Sequence, residues 1–357
     1  MSTDSEIRAM VDSYFGADHD PIPDGDTPFE DVPWYVSAAS LEATDPPPAA
    51  WLVNGLIRPG VTFIAAEPKS GKTWASLEVS LALATGAPAF GRFEVPEPGP
   101  VLYVVEEGSV SEVAYRVRAM CAGHGIAPPE SLLLSIGNHV LLDNRRWQER
   151  LQAAAVGVRA IVVDPLIRMH TANEDRSESM RPVNSFLRAL AYGGSSVLVN
   201  HHWTKPGESN RGVRLGNRMR GTGDFWALCD SILYLSRLKG GPDVVVESEH
   251  RSAVEEPAWS FALPAEQDPE VVRLEWRPGG VEELKAMAKV PAVLAAISDA
   301  GLLGISRKDL LVAVGGRHTE VDAATAVLVT QGRIVKAAEP RPDKAGRERA
   351  QVVFRSA

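Results

Sequence analysis

The chain has 357 residues, of which 45% are hydrophobic, and its formal net charge is −9. This length corresponds to one large domain with an appendage, or to two domains, with enough sequence for a packed core. Its two cysteines, Cys121 and Cys229, exclude a disulfide framework and a cysteine-based zinc cluster. The negative charge argues at first against nucleic acid as a partner, because basic patches are the usual footprint of such proteins.

The negative charge belongs to the beginning of the chain. The first 50 residues hold eleven carboxylates and one arginine, which gives them a charge of −10 and leaves the remaining residues at +1. Their polar, proline-rich composition predicts a disordered acidic tail over residues 1–48. No signal peptide pattern opens the chain and no run of about 18 apolar residues occurs in it, so we expect a cytoplasmic protein with no membrane partner.

From Trp51 onward, short apolar runs alternate with helical stretches. The runs are VTFIAA (61–66), VLYVVEE (101–107), AIVVD (160–164), SVLVNH (196–201) and SILYLSR (231–237). Continuous Val, Ile and Leu is typical of strands buried on both faces, and the alternation with helices predicts a mainly parallel α/β sheet. The later runs DVVVESEH and VVRLEW are predicted to be antiparallel strands that close its edge, in a domain of residues 49–285.

The pattern changes after Lys289, where three helices and two short strands are predicted. The first helix is PAVLAAISDA, Ser306 caps the second (RKDLLVAV), and Thr319 caps the third (EVDAATAVLVTQ). The strands IVKAA and QVVFR flank PRPDKAGRERA. Residues 289–357 carry a charge of +4 and resemble a winged helix-turn-helix domain, which would bind either duplex DNA or another protein.

A phosphate-binding loop is predicted at AEPKSGKT, between the strand VTFIA and a helix. In the motif GxxxxGK[ST], glycines let backbone N–H groups wrap the phosphates, the lysine reaches the β and γ phosphates, and the hydroxyl binds Mg²⁺. The residues predicted to bind nucleotide are Ala66, Glu67, Pro68, Lys69, Ser70, Gly71, Lys72, Thr73 and Trp74. Ala66 replaces the first glycine, which requires a negative φ at that position.

Two apolar strands end in carboxylates. Asp164 ends AIVVD and is predicted to hold Mg²⁺ together with Thr73, with capping of the turn before Pro165 as the alternative. Hydrolysis also needs a group that orients and deprotonates the attacking water. The candidates are Glu106 and Glu107 at the end of VLYVVEE, and only one of two neighbours on a strand can face the nucleotide. We predict that Glu107 is the catalytic base and that Glu106 is an ordinary polar strand end.

The segments PKSGKT, VLYVVEE, VVDPL and VNHHWTK, in this order, resemble the RecA-like ATPase core of hexameric helicases of the plasmid RepA and DnaB type. The chain also resembles the small AAA-type ATPases of phages and mobile elements. The resemblance covers roughly residues 50–265. It implies a RecA-like P-loop core with a mainly parallel central sheet, ATP and Mg²⁺ as cofactors, and the roles given above for Lys72, Thr73, Glu107 and Asp164.

The same resemblance gives roles to two histidines. His201 and His202 match the paired histidines that sense the γ-phosphate in such helicases and couple it to DNA. Because neighbours on a strand face opposite sides, one of the two is predicted to be structural. Adjacent histidines on a strand also chelate poorly, so no metal site is expected there.

Residues 204–223, which we call the cationic segment, follow these histidines. It contains Lys205, Arg211, Arg214, Arg218 and Arg220, and one acid, Glu208. In RecA-like helicases the loop at this place faces the central channel and grips the DNA backbone, which requires positive charge. The first four of these cations are predicted to bind DNA, and a solvated surface loop is the alternative.

An arginine finger, which stabilises charge on the transferred phosphoryl group across a subunit interface, has two candidates. Arg251 matches the late-strand arginine of these helicases, but Glu249 replaces the lysine often found two residues earlier. Arg220 is the second candidate, and an ordinary surface arginine is the alternative for both.

The sequence therefore predicts a homo-oligomeric, hexameric ATPase that acts on single-stranded DNA as a replicative helicase of a plasmid or phage. Two alternatives stay open. One is a recombination or repair ATPase that acts on DNA junctions, and the other is a nucleotide-switched DNA-binding regulator or helicase loader.

Overall fold

The computed structural model describes residues 51–203, 224–238, 241–253, 256–264, 269–342 and 348–357. Two predicted segments lie outside these residues. They are the acidic tail and the cationic segment, including Lys205, Arg211, Arg214, Arg218 and Arg220.

A nine-stranded sheet forms the centre of the larger part of the protein. Its strands are β1 (Val61–Ala66), β2 (Val101–Val105), β3 (Leu132–Ile136), β4 (Ala160–Asp164), β5 (Ser196–His202), β6 (Ser231–Arg237), β7 (Asp243–His250), β8 (Trp259–Ala262) and β9 (Arg277–Pro278). Their order across the sheet is β3-β2-β4-β5-β1-β6-β7-β8-β9. The first six strands pair in parallel and the last three in antiparallel fashion, which confirms the mainly parallel α/β sheet.

Helices cover both faces of this sheet. They are α1 (Lys72–Thr85), α2 (Val110–His124), α3 (Arg145–Ala155), α4 (Ser177–Tyr192) and α5 (Asp224–Leu228), with a 3₁₀ turn at Leu166–Arg168. Apolar side chains of α1 and α2 pack on one face, and those of α3, α4 and α5 on the other. This burial on both sides explains why the strands read as continuous apolar runs. None of the helices in the described ranges is long and apolar enough to span a membrane.

Local sequence signals fix the ends of the two helices nearest the predicted phosphate loop. Helix α1 starts after Gly71 and ends at Gly86, whose N–H donates to Ala82 O from a left-handed backbone. Helix α2 starts with a capping box, in which the Ser109 side chain accepts from Glu112 N and the Glu112 side chain accepts from Ser109 N.

One predicted edge strand, VVRLEW, is wrong. Residues 271–276 are not a strand, because their backbone N–H groups bond to other elements: Val272 N donates to Ala119 O and Trp276 N donates to Phe90 O. The segment lies against α2, where a Cβ on Gly123 would come within 1.9 Å of Val272 O. Its alternate apolar side chains are therefore buried against a helix and not within a sheet. The strand that pairs with β8 is the short strand β9.

The C-terminal residues form three helices and a small sheet with an apolar cluster of their own. The elements are α6 (Val281–Asp299), α7 (Arg307–Val314), α8 (His318–Thr330), β10 (Ile305–Ser306), β11 (Ile334–Pro342) and β12 (Glu348–Ser356). The three strands are antiparallel in the order β10-β12-β11.

The predicted caps in this part had different outcomes. Ser306 caps α7 as predicted, since its hydroxyl accepts from Asp309 N at 3.2 Å. The prediction for Thr319 is wrong, because α8 begins at His318, two residues before the predicted start, and Arg317 has the extended backbone of an N-cap. Thr319 therefore lies in the first turn of the helix.

Candidate nucleotide-binding site

The predicted phosphate loop lies between β1 and α1. Gly71 has φ 88°, a left-handed conformation that favours glycine, and a Cβ there would lie 2.6 Å from Leu263 Cδ2. Lys69 also has a positive φ of 63°. Ala66 is the last residue of β1, fully buried, and its φ is not positive, so the condition for replacing the first glycine is met.

Lys72 points into this loop. Its Nζ donates to Ala66 O and Glu67 O, each at 3.1 Å, and lies 3.2 Å from His202 Nδ1. Only 8% of the residue is exposed, and burial lowers the pKa of Lys72 to about 8, although the nearby Asp164 and Glu107 carboxylates oppose that shift. The ammonium group is thus enclosed by acceptors and lies close to both predicted carboxylates.

Asp164 ends β4 and is 4% exposed. Its Oδ2 accepts a 2.7 Å hydrogen bond from the Tyr103 hydroxyl. Burial, followed by the Asp164 carboxylate, raises the pKa of Tyr103 well above its usual value, so the phenol stays a donor. Tyr103 therefore orients the Asp164 carboxylate beside the loop.

The two glutamates after β2 face different surroundings. The Glu106 carboxylate accepts from His139 N and Val140 N, each at 3.0 Å, which ties it to the neighbouring loop. Glu107 is exposed, and its charge opposes the lowering of the pKa of Lys72 and of His202. The charge of Glu107 thus acts on Lys72 and His202, whereas Glu106 is hydrogen bonded to the loop after β3.

The paired histidines face opposite sides of β5. The pKa of His202 is lowered, first by burial and then by Lys72, so its neutral Nδ1 can accept from the Lys72 ammonium. His201 is 1% exposed on the other face, where its ring contacts Phe63 and Phe225. The structure therefore brings His202 to the phosphate loop and His201 into the core.

Two oxygen ligands are available for Mg²⁺ at this site, the hydroxyl of Thr73 at the start of α1 and the carboxylate of Asp164. Mg²⁺ usually binds through one or two protein oxygens together with substrate phosphates and water, so this pair fits the ion bound with a nucleotide. No group of three or more His, Cys, Asp or Glu within the described ranges is arranged to hold a metal.

Arg251 lies far from this loop in its own chain. It follows β7, whose last residue His250 pairs with Ser231 at the start of β6, whereas Ala66 pairs with Leu235 near the end of that strand. Its guanidinium forms a 3.7 Å ion pair with Asp230 and donates to Ala227 O. An arginine finger would act on the nucleotide of a neighbouring subunit, so the role of Arg251 stays a prediction. The other candidate, Arg220, lies outside the described residues.

Residues 27–208, just over half of the chain, match the AAA domain family. The chain belongs to this family. The match begins inside the segment predicted as the acidic tail. Among solved structures, the crystal structure of the RadB recombinase matches 60% of this chain and 89% of its own, with 20% sequence identity and a TM-score of 0.43. The AAA domain and the P-loop geometry make this protein a nucleotide-binding ATPase.

Sequence reasoning missed two polar side chains of this AAA domain that lie on buried strands. They are Tyr103, which holds Asp164, and Asn200, whose Oδ1 accepts from Ser76 Oγ of α1 at 2.6 Å. The Ser76 hydroxyl oxygen also lies 2.9 Å from Lys72 O, so Ser76 connects β5 to the first turn of α1. The available signal was the presence of a polar group within an otherwise apolar strand.

Arg237, which follows the matched range in the sequence, was missed as well. It ends β6, and its guanidinium donates to Lys69 O of the phosphate loop at 3.3 Å and to Gly241 O at 3.3 Å. No sequence signal indicated it, because the contact depends on β6 pairing beside β1.

Proposed function

We propose that this AAA-family ATPase is a ring-forming, hexameric DNA motor that hydrolyses ATP with Mg²⁺ and moves on single-stranded DNA as a replicative helicase. The observation that supports it is the 3.2 Å contact between Lys72 Nζ and His202 Nδ1. His202 ends β5, and the cationic segment begins two residues later. Binding or loss of the γ-phosphate would move Lys72, and the contact with His202 would transmit this movement to the end of β5. The cationic segment, whose positive charge suits DNA, follows that end of the strand.

In this proposal, each part of the hydrolytic step has a residue assigned to it. The loop backbone and Lys72 bind the phosphates. Thr73 and Asp164 would hold Mg²⁺, and the ion would supply positive charge to the phosphates. Glu107 orients the attacking water and takes its proton. His202 shares Lys72 with the phosphates, so it responds to whether they are bound.

We also propose that the C-terminal part is a winged helix. Three helices with a three-stranded antiparallel sheet and a separate apolar cluster support this assignment. Because α6 runs without a break through both predicted boundaries, 285 and 289, we place the division at its first residue, Val281. Helix α8 has no lysine or arginine, so charge for duplex DNA or for a replication protein would come from β11 and β12.

The test is an ATPase assay with and without single-stranded DNA, together with mass measurement with and without ATP. We expect DNA to stimulate turnover and ATP to promote a ring. Replacing Arg211 and Arg214 by serine should abolish the stimulation, whereas replacing the exposed Arg145 and Arg146 of α3 should not. Equal rates with and without DNA, and no ring, would exclude the motor.

Further substrates separate the proposed activity from its alternatives. Strand displacement on forked DNA supports a helicase, whereas binding to junctions without unwinding supports a recombination or repair ATPase. A footprint on one duplex sequence that survives competitor DNA at physiological salt supports a regulator or loader.

A further inference from the structure

A buried carboxylate lies between two histidines on the face of the sheet opposite Lys72. Glu174 is located between the 3₁₀ turn and α4, and 6% of its side chain is exposed. Its Oε1 lies 3.5 Å from His170 Nε2 and 3.8 Å from His201 Nδ1, and each imidazole side chain is 1% exposed. Both distances are under 4 Å, so the three side chains form one buried polar unit, which we call the His-Glu-His group.

The His-Glu-His group contacts strand β1 and helix α5. The ring of His201 lies 5.9 Å from that of Phe63 in β1 and 5.0 Å from that of Phe225 in α5. Strand β1 leads into the phosphate loop, and α5 follows the cationic segment directly. Trp203, the last described residue before that segment, is 5% exposed and stacks on Tyr234 of β6 at 5.7 Å.

A purely structural role would not require charge at this place. Taking a carboxylate out of water costs several kcal/mol, and replacing buried ionic groups by packed apolar side chains is often neutral or stabilising. The apolar cluster around the group includes Phe63, Met180 and Phe225, so aliphatic side chains would pack there. The presence of a carboxylate and two imidazoles instead points to a role that depends on polarity.

The His-Glu-His group also acts on the side chain that contacts the phosphate loop. His202 follows His201 and lies 3.2 Å from Lys72 Nζ. The Glu174 carboxylate opposes the lowering of the pKa of His202, which burial causes in the first place. Glu174 is thus linked to His202 both through the backbone of β5 and through its electric field.

We propose that Glu174 is a positioning residue that, through His201 and His170, fixes the carboxyl end of β5. His202 is thereby held in contact with Lys72, and Trp203 and α5, which flank the cationic segment in the sequence, are held in place. The coupling to DNA rests on the proposed function. The positioning of His202 does not, because it concerns the ATP site alone.

The test compares Glu174→Gln, which keeps the shape and removes the charge, with Glu178→Gln at an exposed position in the first turn of α4. The measurements are kcat and KM for ATP in the absence of DNA, and imidazole ¹⁵N resonances of histidine-labelled protein. The resonances of His202 are assigned from His202→Gln.

We expect Glu174→Gln to lower kcat by about tenfold while KM for ATP stays within about threefold, and to shift the His202 resonances. Glu178→Gln should change none of these quantities. A lower melting temperature with unchanged kcat, KM and His202 resonances would overturn the proposal, because it would leave only a packing role.

If DNA does not stimulate the ATPase activity of the wild-type protein, the proposed function is rejected. The test of how Glu174 positions His202 is unaffected, because it is carried out without DNA. If Glu174→Gln fails to fold, His170→Gln serves instead, because it keeps the pair of Glu174 and His201. We then expect kcat to fall about threefold with KM unchanged. An unaltered kcat in His170→Gln would overturn the proposal.

Discussion

The site depends first on a single lysine held out of water. Lys72 is 8% exposed, its Nζ is hydrogen bonded to two carbonyl oxygens, and burial lowers its pKa to about 8. Burial of a cation is unfavourable unless other groups compensate for the lost hydration. The ammonium is nevertheless retained, because its positive charge is what a phosphate group recognises.

The lowered pKa of Lys72 predicts a pH dependence of nucleotide binding. As pH rises from 7.5 to 9.5 through the value of about 8, the free protein loses the charge that binds the phosphates. The dissociation constant of a non-hydrolysable ATP analogue should rise by roughly tenfold, measured by titration calorimetry. In Lys72→Arg, which stays charged, binding should be weaker and independent of pH. A wild-type constant that does not change over this range contradicts the prediction.

Lys72→Ala should lose ATPase activity by about two orders of magnitude or more, because the phosphates lose their nearest cation. The fold should persist, since the substitution removes a buried charge and leaves the packing of α1 intact. Circular dichroism and a thermal melt check the fold beside the activity assay. Loss of activity with an unfolded chain would contradict the expectation.

The two glutamates after β2 provide a matched pair. Glu107→Gln should bind ATP normally and lose turnover by roughly a hundredfold or more, because glutamine cannot take a proton from water. Glu106→Gln should keep turnover and lose about 1–3 kcal/mol of stability, because it disturbs the bonds from His139 N and Val140 N. Single-turnover kinetics and denaturation separate the two effects. Normal turnover in Glu107→Gln would move the base elsewhere.

At the scale of elements, α1 and α2 are joined by a partly buried contact between a carboxylate and an imidazole. Glu78 of α1 is fully buried, and its carboxylate accepts from Phe90 N at 2.9 Å and contacts Nε2 of His124, the last residue of α2, at 2.8 Å. The hydrogen bond to Glu78 raises the pKa of His124 above 6.5, although burial opposes the shift. The contact joins the middle of α1 to the C-terminal end of α2 on the same face of the sheet.

This contact predicts how stability changes with pH. A raised folded-state pKa means that the contribution of His124 is fully present below about pH 6.5 and is lost as pH rises through the raised value. The difference in unfolding free energy between the wild type and His124→Gln should be roughly 2 kcal/mol near pH 6 and should decrease toward pH 9. His318→Gln, at an exposed position, is the control. A difference that grows with pH would contradict this sign.

At the scale of the whole molecule, the C-terminal part has its own apolar cluster. We expect a chain of residues 281–357 to unfold cooperatively when melted alone, followed by circular dichroism. Leu328→Ala should remove about 2–5 kcal/mol and abolish that transition, because Leu328 is fully buried. Val312→Ala, at a side chain 77% exposed, should leave it unchanged. A wild-type fragment without a transition would show that the part needs the ATPase domain.

The sequence by itself determined the elements whose signal is local. Continuous apolar runs specified β1, β2, β4, β5 and β6 because both faces of a parallel sheet are buried. Glycine, lysine and threonine in AEPKSGKT specified the phosphate loop because a left-handed turn, a cation and a hydroxyl are needed there in a fixed order.

Only the tertiary structure decided the contacts between residues distant in sequence. The pairing of β1 with β5 places His202 beside Lys72 and buries His201 against Glu174, and the pairing of β2 with β4 sets Tyr103 near Asp164. Segment 271–276 has strand-like residues, yet it packs on α2 because Gly123 leaves room for its backbone. Such contacts follow from strand order and register, which side-chain periodicity along one segment does not specify.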